Sequence, residues 1–196
     1  MSTLKATYLQ HPSASSANVT LASDGKATFN GAMVGAGLDL ITSSTFSSVS
    51  TVSINNCFNS TYDNYRIVLD HNASASIGIT ARLRLNGTDD SSANYTWQRI
   101  MAAATSLSTA RSTGTTAYFF GDSEIASPNI ASVDMFKPNK AVYTGYVGNL
   151  TASNSGSYLV TAYGNHQVAT AYDGITLIAS SGTITGTVRV YGYRNS

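Results

Sequence analysis

The sequence predicts an all-β protein: an antiparallel β-sandwich, jelly-roll-like, with a short extended N-terminal arm that contains a hairpin. Three observations carry this reading. Charged residues make up only 11% of the 196, with a single Glu, while 28 Ser, 24 Thr, 16 Gly and 12 Tyr fill the polar and turn positions. That composition is poor in helix formers and rich in residues that suit a pleated, half-buried surface. From Leu38 onward, about ten short stretches alternate apolar and polar residues, separated by turn signals every 8–12 residues or so, with no helical run between them.

Residues 1–37 read as an arm and residues 38–196 as the sandwich. The arm opens with a short apolar-polar run from Leu4 to Leu9, stopped by His11-Pro12 and a Ser/Ala-rich link. Val19-Thr20-Leu21 and Ala27-Thr28-Phe29 then flank Asp24-Gly25, a hairpin signal. A lone hairpin is marginal in water. Leu4, Leu9, Val19, Leu21 and Phe29 are therefore expected to dock on something, as assembly or anchor residues. Three glycines within residues 31–37 mark the boundary.

In the sandwich, residues 46–54 read as a polar-rich edge strand. Residues 62–70 give the clearest signal: Tyr65, Ile67 and Leu69 fall on one face and Arg66 and Val68 on the other. Residues 77–85 alternate with Arg82 and Arg84 facing out, and Asn86-Gly87 turns the chain. Residues 95–100 form the next expected strand. Residues 101–111, rich in Ala, Ser and Thr, read as a loop or a single turn. Strands are expected at 115–120, 130–136, 141–147, 157–164, 166–171, 175–179 and 183–193, with hairpin turns at Gly164-Asn165, Asp173-Gly174 and Ser181-Gly182.

Charge and motifs exclude several functions. A formal net charge of +1 with scattered basic residues gives no phosphate-neutralising surface, so no nucleic acid is expected. No run of 18 apolar residues and no signal core occurs, so no membrane contact and no export signal are expected. Cys57 is alone and reads as a small buried hydrophobe. His11, His71 and His166 share no metal-ligand spacing, and His71 and His166 read as solvated histidines at strand ends. No Gly-x-Ser-x-Gly elbow is present. Of the ten acids only Asp89-Asp90 and Asp122/Glu124 cluster, and a chain with one Glu and no long parallel β-helix is a poor glycosidase. The chain is expected to be no enzyme and to carry no cofactor. Asp89 and Asp90 read as solvated loop acids, with calcium as the sharper alternative. Asn94, Tyr95 and Trp97, beside that loop, are the contact residues expected for a ligand or partner such as a sugar ring. Core packing of the Tyr95/Trp97 face is the competing expectation.

The segments Phe46-Ser47-Ser48-Val49, Tyr62-Asp63-Asn64-Tyr65-Arg66-Ile67-Val68, Asp173-Gly174-Ile175-Thr176-Leu177 and the closing Val188-Arg189-Val190-Tyr191-Gly192-Tyr193 resemble virion surface proteins of marine and cyanobacterial bacteriophages. Pro12-Ser13-Ala14-Ser15-Ser16 and Leu21-Ala22-Ser23-Asp24-Gly25 resemble the N-terminal segment of the same proteins. The resemblance spans most of the chain, and its motifs are structural. It implies a β-sandwich displayed on a virion, often as a homotrimer, held by other virion proteins of capsid or tail. A receptor-binding tail-fibre tip that recognises host surface glycan is the alternative it leaves open. It brings no functional residue set with it.

Overall fold

The computed structural model describes residues 6–29, 37–125, 128–152 and 158–195. Every described element is a strand, and the chain divides into two compact units, Met1–Ala36 and Gly37–Asn195.

The first unit holds β1 (Tyr8–Leu9), β2 (Val19–Leu21) and β3 (Ala27–Phe29) in one antiparallel sheet ordered β1-β2-β3. The Asp24-Gly25 hairpin forms as the sequence predicts: Gly25 N–H donates to the Ala22 carbonyl and Ala22 N–H to the Lys26 carbonyl. The register aligns Leu9 with Val19 and Val19 with Phe29, and aligns Tyr8 with Thr20 and Thr20 with Thr28. Side chains of aligned residues share a face. Leu9, Val19, Leu21, Ala27 and Phe29 therefore stand on one side of this sheet, and Tyr8, Thr20 and Thr28 on the other. Leu4 lies outside the described residues.

The second unit is the sandwich. Its strands are β4 (Leu38–Val49), β5 (Thr51–Ile54), β6 (Tyr62–Ala73), β7 (Ile77–Leu85), β8 (Thr88–Asp89), β9 (Tyr95–Ala103), β10 (Ser106–Thr115), β11 (Tyr118–Ser123), β12 (Asn129–Phe136), β13 (Thr144–Ala152), β14 (Tyr158–His166), β15 (Gly174–Ala179) and β16 (Ile184–Arg194). One sheet runs β10-β9-β14-β13-β12-β6-β16-β4; the other runs β11-β7-β15-β5, with β8 paired to β7. The pairings nest. β4 pairs with β16, β5 with β15, β6 with β12 and β7 with β11, all antiparallel.

Alternation produces the core. Tyr65, Ile67 and Leu69 of β6 are fully buried, as are Ile79, Ala81 and Leu83 of β7 and Ile175 and Leu177 of β15. Each large side chain so buried stabilises the fold by roughly 1.5–3 kcal/mol. The Tyr65 hydroxyl donates to the Asn59 carbonyl at 2.6 Å and accepts from Asn59 N–H at 2.8 Å, so its one polar atom is satisfied inside. Arg66 faces outward on the same strand, in a bidentate pair with Asp134 at 2.8 Å. The Asp134 carboxylate also accepts from the Tyr193 hydroxyl at 2.6 Å.

The structure corrects the sequence reading at several points. Residues 101–111 are not a loop: they belong to the hairpin of β9 and β10, paired from Ala103↔Ser106 to Tyr95↔Thr115. Small residues give a weak strand signal, but the β14 ladder along β9 supplies the pairing that propensity does not. Gly164-Asn165 is not a turn, because β14 runs straight through to His166, and residues 167–171 form no strand. Gly164 is there for room: a Cβ on it would collide with the Thr96 carbonyl and stand 2.5 Å from the Tyr146 ring. Arg84 does not project into solvent. It is ion-paired with Asp89 and donates to Asn55 Oδ1 at 2.9 Å and Ser53 Oγ at 3.1 Å. Asn86-Gly87 turns as expected, both residues at positive φ. Cys57 is buried, and burial pushes its thiol up to about 12.

Candidate functional site

Width decides where the inner surface is left uncovered. One sheet has eight strands and the path stacked on it has four. β11, an edge of the smaller sheet, packs over β12, β13 and β14 and reaches β9. Inward residues of β13 and β14 are accordingly buried: Tyr146, Leu150, Val160 and Ala162. Farther out the cover ends. On β9, Tyr95 is buried but Trp97, Arg99 and Met101 are half-buried, and on β10 Ser108 is exposed. The β9–β10 hairpin thus overhangs the smaller sheet.

A groove of about 340 Å³ lies under this overhang. Arg99 and Met101 come from β9, Tyr158 from β14, Ser76 from the approach to β7, and Asp122 and Glu124 from the end of β11 and just beyond. Arg99 is held on two sides. Its Nη1 donates to Asp122 Oδ2 at 2.5 Å, and its guanidinium lies over the Phe119 ring, 4.6 Å from the centroid. Trp97 packs beside the same ring at 5.4 Å. Burial pushes the Asp122 carboxyl above its ordinary range, and the Arg99 charge opposes that shift.

Glu124 is positioned by its backbone. Its N–H donates to Asn129 Oδ1 at 2.9 Å, and Asn129 Nδ2 donates back to its carbonyl at 3.0 Å. Its carboxylate accepts from Ser76 Oγ at 2.7 Å. Ser123 also lines the groove, and its Oγ shares a hydrogen bond of 2.5 Å with His71 Nε2. Ser123 is buried, and His71 Nδ1 meets no partner among the described residues.

The contact residues expected from sequence are not brought together as a surface. Tyr95 is fully buried, stacked on His166 at 4.1 Å, with its hydroxyl donating to the Asp90 carbonyl at 2.8 Å. Trp97 is a half-buried packing residue rather than an exposed platform. Asn94 is exposed.

Nor are Asp89 and Asp90 solvated loop acids. Asp89 is ion-paired with Arg84 and accepts from Thr176 Oγ1 at 2.6 Å. Asp90 accepts from Tyr172 Oη at 2.5 Å and from Ser92 N–H at 2.8 Å, and lies 3.0 Å from His166 Nε2. Burial acts to raise its carboxyl, but these bonds outweigh burial and hold it at about 2. Both carboxylates thus serve internal donors. No group of three His, Cys, Asp or Glu suited to a metal occurs among the described residues.

His71 and His166 also depart from expectation: they are 3% and 0% exposed, not solvated. Both stand at inward positions of long strands, where neighbouring residues bury the ring. The sequence reading passed over Arg99, Met101 and Tyr158. The signal was present for two of them, because Trp97, Arg99 and Met101 alternate on one face of a single strand.

Comparison with family models, with curated proteins and with solved structures returned no match.

Proposed function

We propose that this chain is a structural protein of a bacteriophage particle, anchored by its N-terminal arm to other virion proteins of capsid or tail and displaying the sandwich outward as a short fibre, appendage or capsid decoration. One observation carries the reading: the arm sheet gathers Leu9, Val19, Leu21 and Phe29 on one face, and Leu9, Leu21 and Phe29 are 50%, 39% and 51% exposed. An apolar face on a small sheet that buries none of its described residues gains stability by docking. The sequence resemblance to phage virion proteins supports the particle as the dock, with assembly as a homotrimer and localisation to the virion after synthesis in the host cytoplasm. We further read the nested strand pairing of the sandwich as jelly-roll winding.

The experiment is deletion of residues 1–36. The remaining chain is expected to keep its Trp97 fluorescence and its cooperative unfolding, and to be missing from purified particles. Normal incorporation of the truncated chain would overturn the anchoring role. The alternative, a tail-fibre tip that reads host glycan through residues 86–97, is the weaker reading, because Asp89, Asp90 and Tyr95 are engaged internally.

A further inference from the structure

We propose that the groove under the β9–β10 overhang binds one neutral sugar ring, a polyhydroxylated ligand without net charge. Asp122 and Glu124 both face the groove, and Arg99, the one cation of its lining among the described residues, is already paired with Asp122. The site therefore carries an excess negative charge and repels anions. A wholly apolar ligand would strip water from two carboxylates, a guanidinium and Ser76 without replacing those hydrogen bonds, which is costly.

An extended peptide would need a regular edge to pair with. The edge strand here, β11, breaks register between Phe119 and Gly121 in its own ladder with β7, the kind of irregularity that interrupts strand addition. A neutral polyol meets none of these objections. Its hydroxyls donate to the carboxylates and accept from Arg99, and its C–H face lies against Tyr158 and Met101.

The site is built before the ligand arrives. Phe119 and Asp122 fix Arg99, Asn129 fixes the Glu124 backbone, and Ser76 fixes the Glu124 carboxylate. Preorganisation of this kind removes part of the ordering cost of binding. The volume, about 340 Å³, lies at the small end of the range for ligand clefts and suits a ligand of one ring better than a long chain.

The test titrates the full chain with the methyl glycosides of glucose, galactose and N-acetylglucosamine. Binding is followed by saturation-transfer NMR and by the fluorescence of Trp97, the only tryptophan, which packs on the ring beneath Arg99. At least one glycoside is expected to bind saturably, with a dissociation constant of about 1 mM. Glu124→Gln and Tyr158→Ala are each expected to weaken it about tenfold, the loss that accompanies removal of a charge-assisted hydrogen bond or a ring contact. Thermal unfolding of both variants should match that of the parent chain. No saturable response to any of the three glycosides would overturn the proposal, and so would equal binding by the parent chain and both folded variants.

Discussion

Acid should destabilise the sandwich through His71. The ring is buried on β6, with Nε2 on Ser123 Oγ and Nδ1 without a partner among the described residues. A second ring proton would therefore be buried with no acceptor. Burial lowers the histidine from 6.5 to about 4, only partly opposed by the charge of Asp70. Between those two values the unfolded chain takes up a proton that the folded chain refuses. Stability conferred by the neutral ring is complete above pH 6.5, falls as pH drops toward 4, and changes no further below that. A gap of about 2.5 units at 1.36 kcal/mol each amounts to roughly 3 kcal/mol.

The assay is urea denaturation followed by Trp97 fluorescence at pH 7.5, 5.5 and 4.5, for the parent chain and for His71→Gln. His166 is lowered by burial too and titrates in the same direction, so the difference between the two proteins isolates His71. The parent's stability relative to the variant should shrink by about 2.5 kcal/mol between pH 7.5 and 4.5, the rest of the loss falling closer to pH 4. Parallel pH profiles, or an NMR titration placing His71 near 6.5 in the folded state, would refute the reasoning.

Two further outcomes can be checked on the same material. Gly164→Ala should destabilise the sandwich by about 1–3 kcal/mol in denaturant titration, since its new methyl meets the Thr96 carbonyl and the Tyr146 ring; an unchanged midpoint would show that β14 can shift away from β9 at little cost. Cys57, buried with its thiol raised to about 12, should resist a thiol reagent at pH 8 in the folded chain and react once the chain is unfolded in urea. Rapid labelling of the native chain would place the residue in a region that opens readily.

Local alternation was enough to read β6 and β7, because Tyr65-Ile67-Leu69 and Ile79-Ala81-Leu83 repeat with period two and each set has one buried face. It failed where pairing rather than composition makes the strand. β10 is mostly Ser and Thr and exists because β9 lies beside it. Glycine misled at Gly164 because close packing and turning leave the same mark in a sequence. The arm hairpin was legible from Asp24-Gly25, but the third strand, and with it the shared face of Leu9, Val19, Leu21 and Phe29, emerged only from the register.

The groove was least legible. Asp122 and Glu124 stood out as a cluster, yet what brings Arg99 and Tyr158 to them is the difference in width between two sheets, a property of the whole topology. Asp89 and Asp90 show the converse: two adjacent acids that look solvated in sequence are held by Arg84, Thr176, Tyr172 and His166, all distant along the chain except Arg84.

The anchoring role is tested most directly by comparing two aspartates on opposite faces of the arm sheet. Phe29→Asp places a charge on the apolar face, and Thr28→Asp places one on the polar face a single residue away. Burying a Phe is worth roughly 1.5–3 kcal/mol, and burying an unpaired carboxylate costs more still. The measurement is the amount of each variant retained in purified particles relative to the parent chain. Loss of Phe29→Asp with retention of Thr28→Asp is the predicted result, and equal retention of both would contradict the claim that this face holds the protein in place.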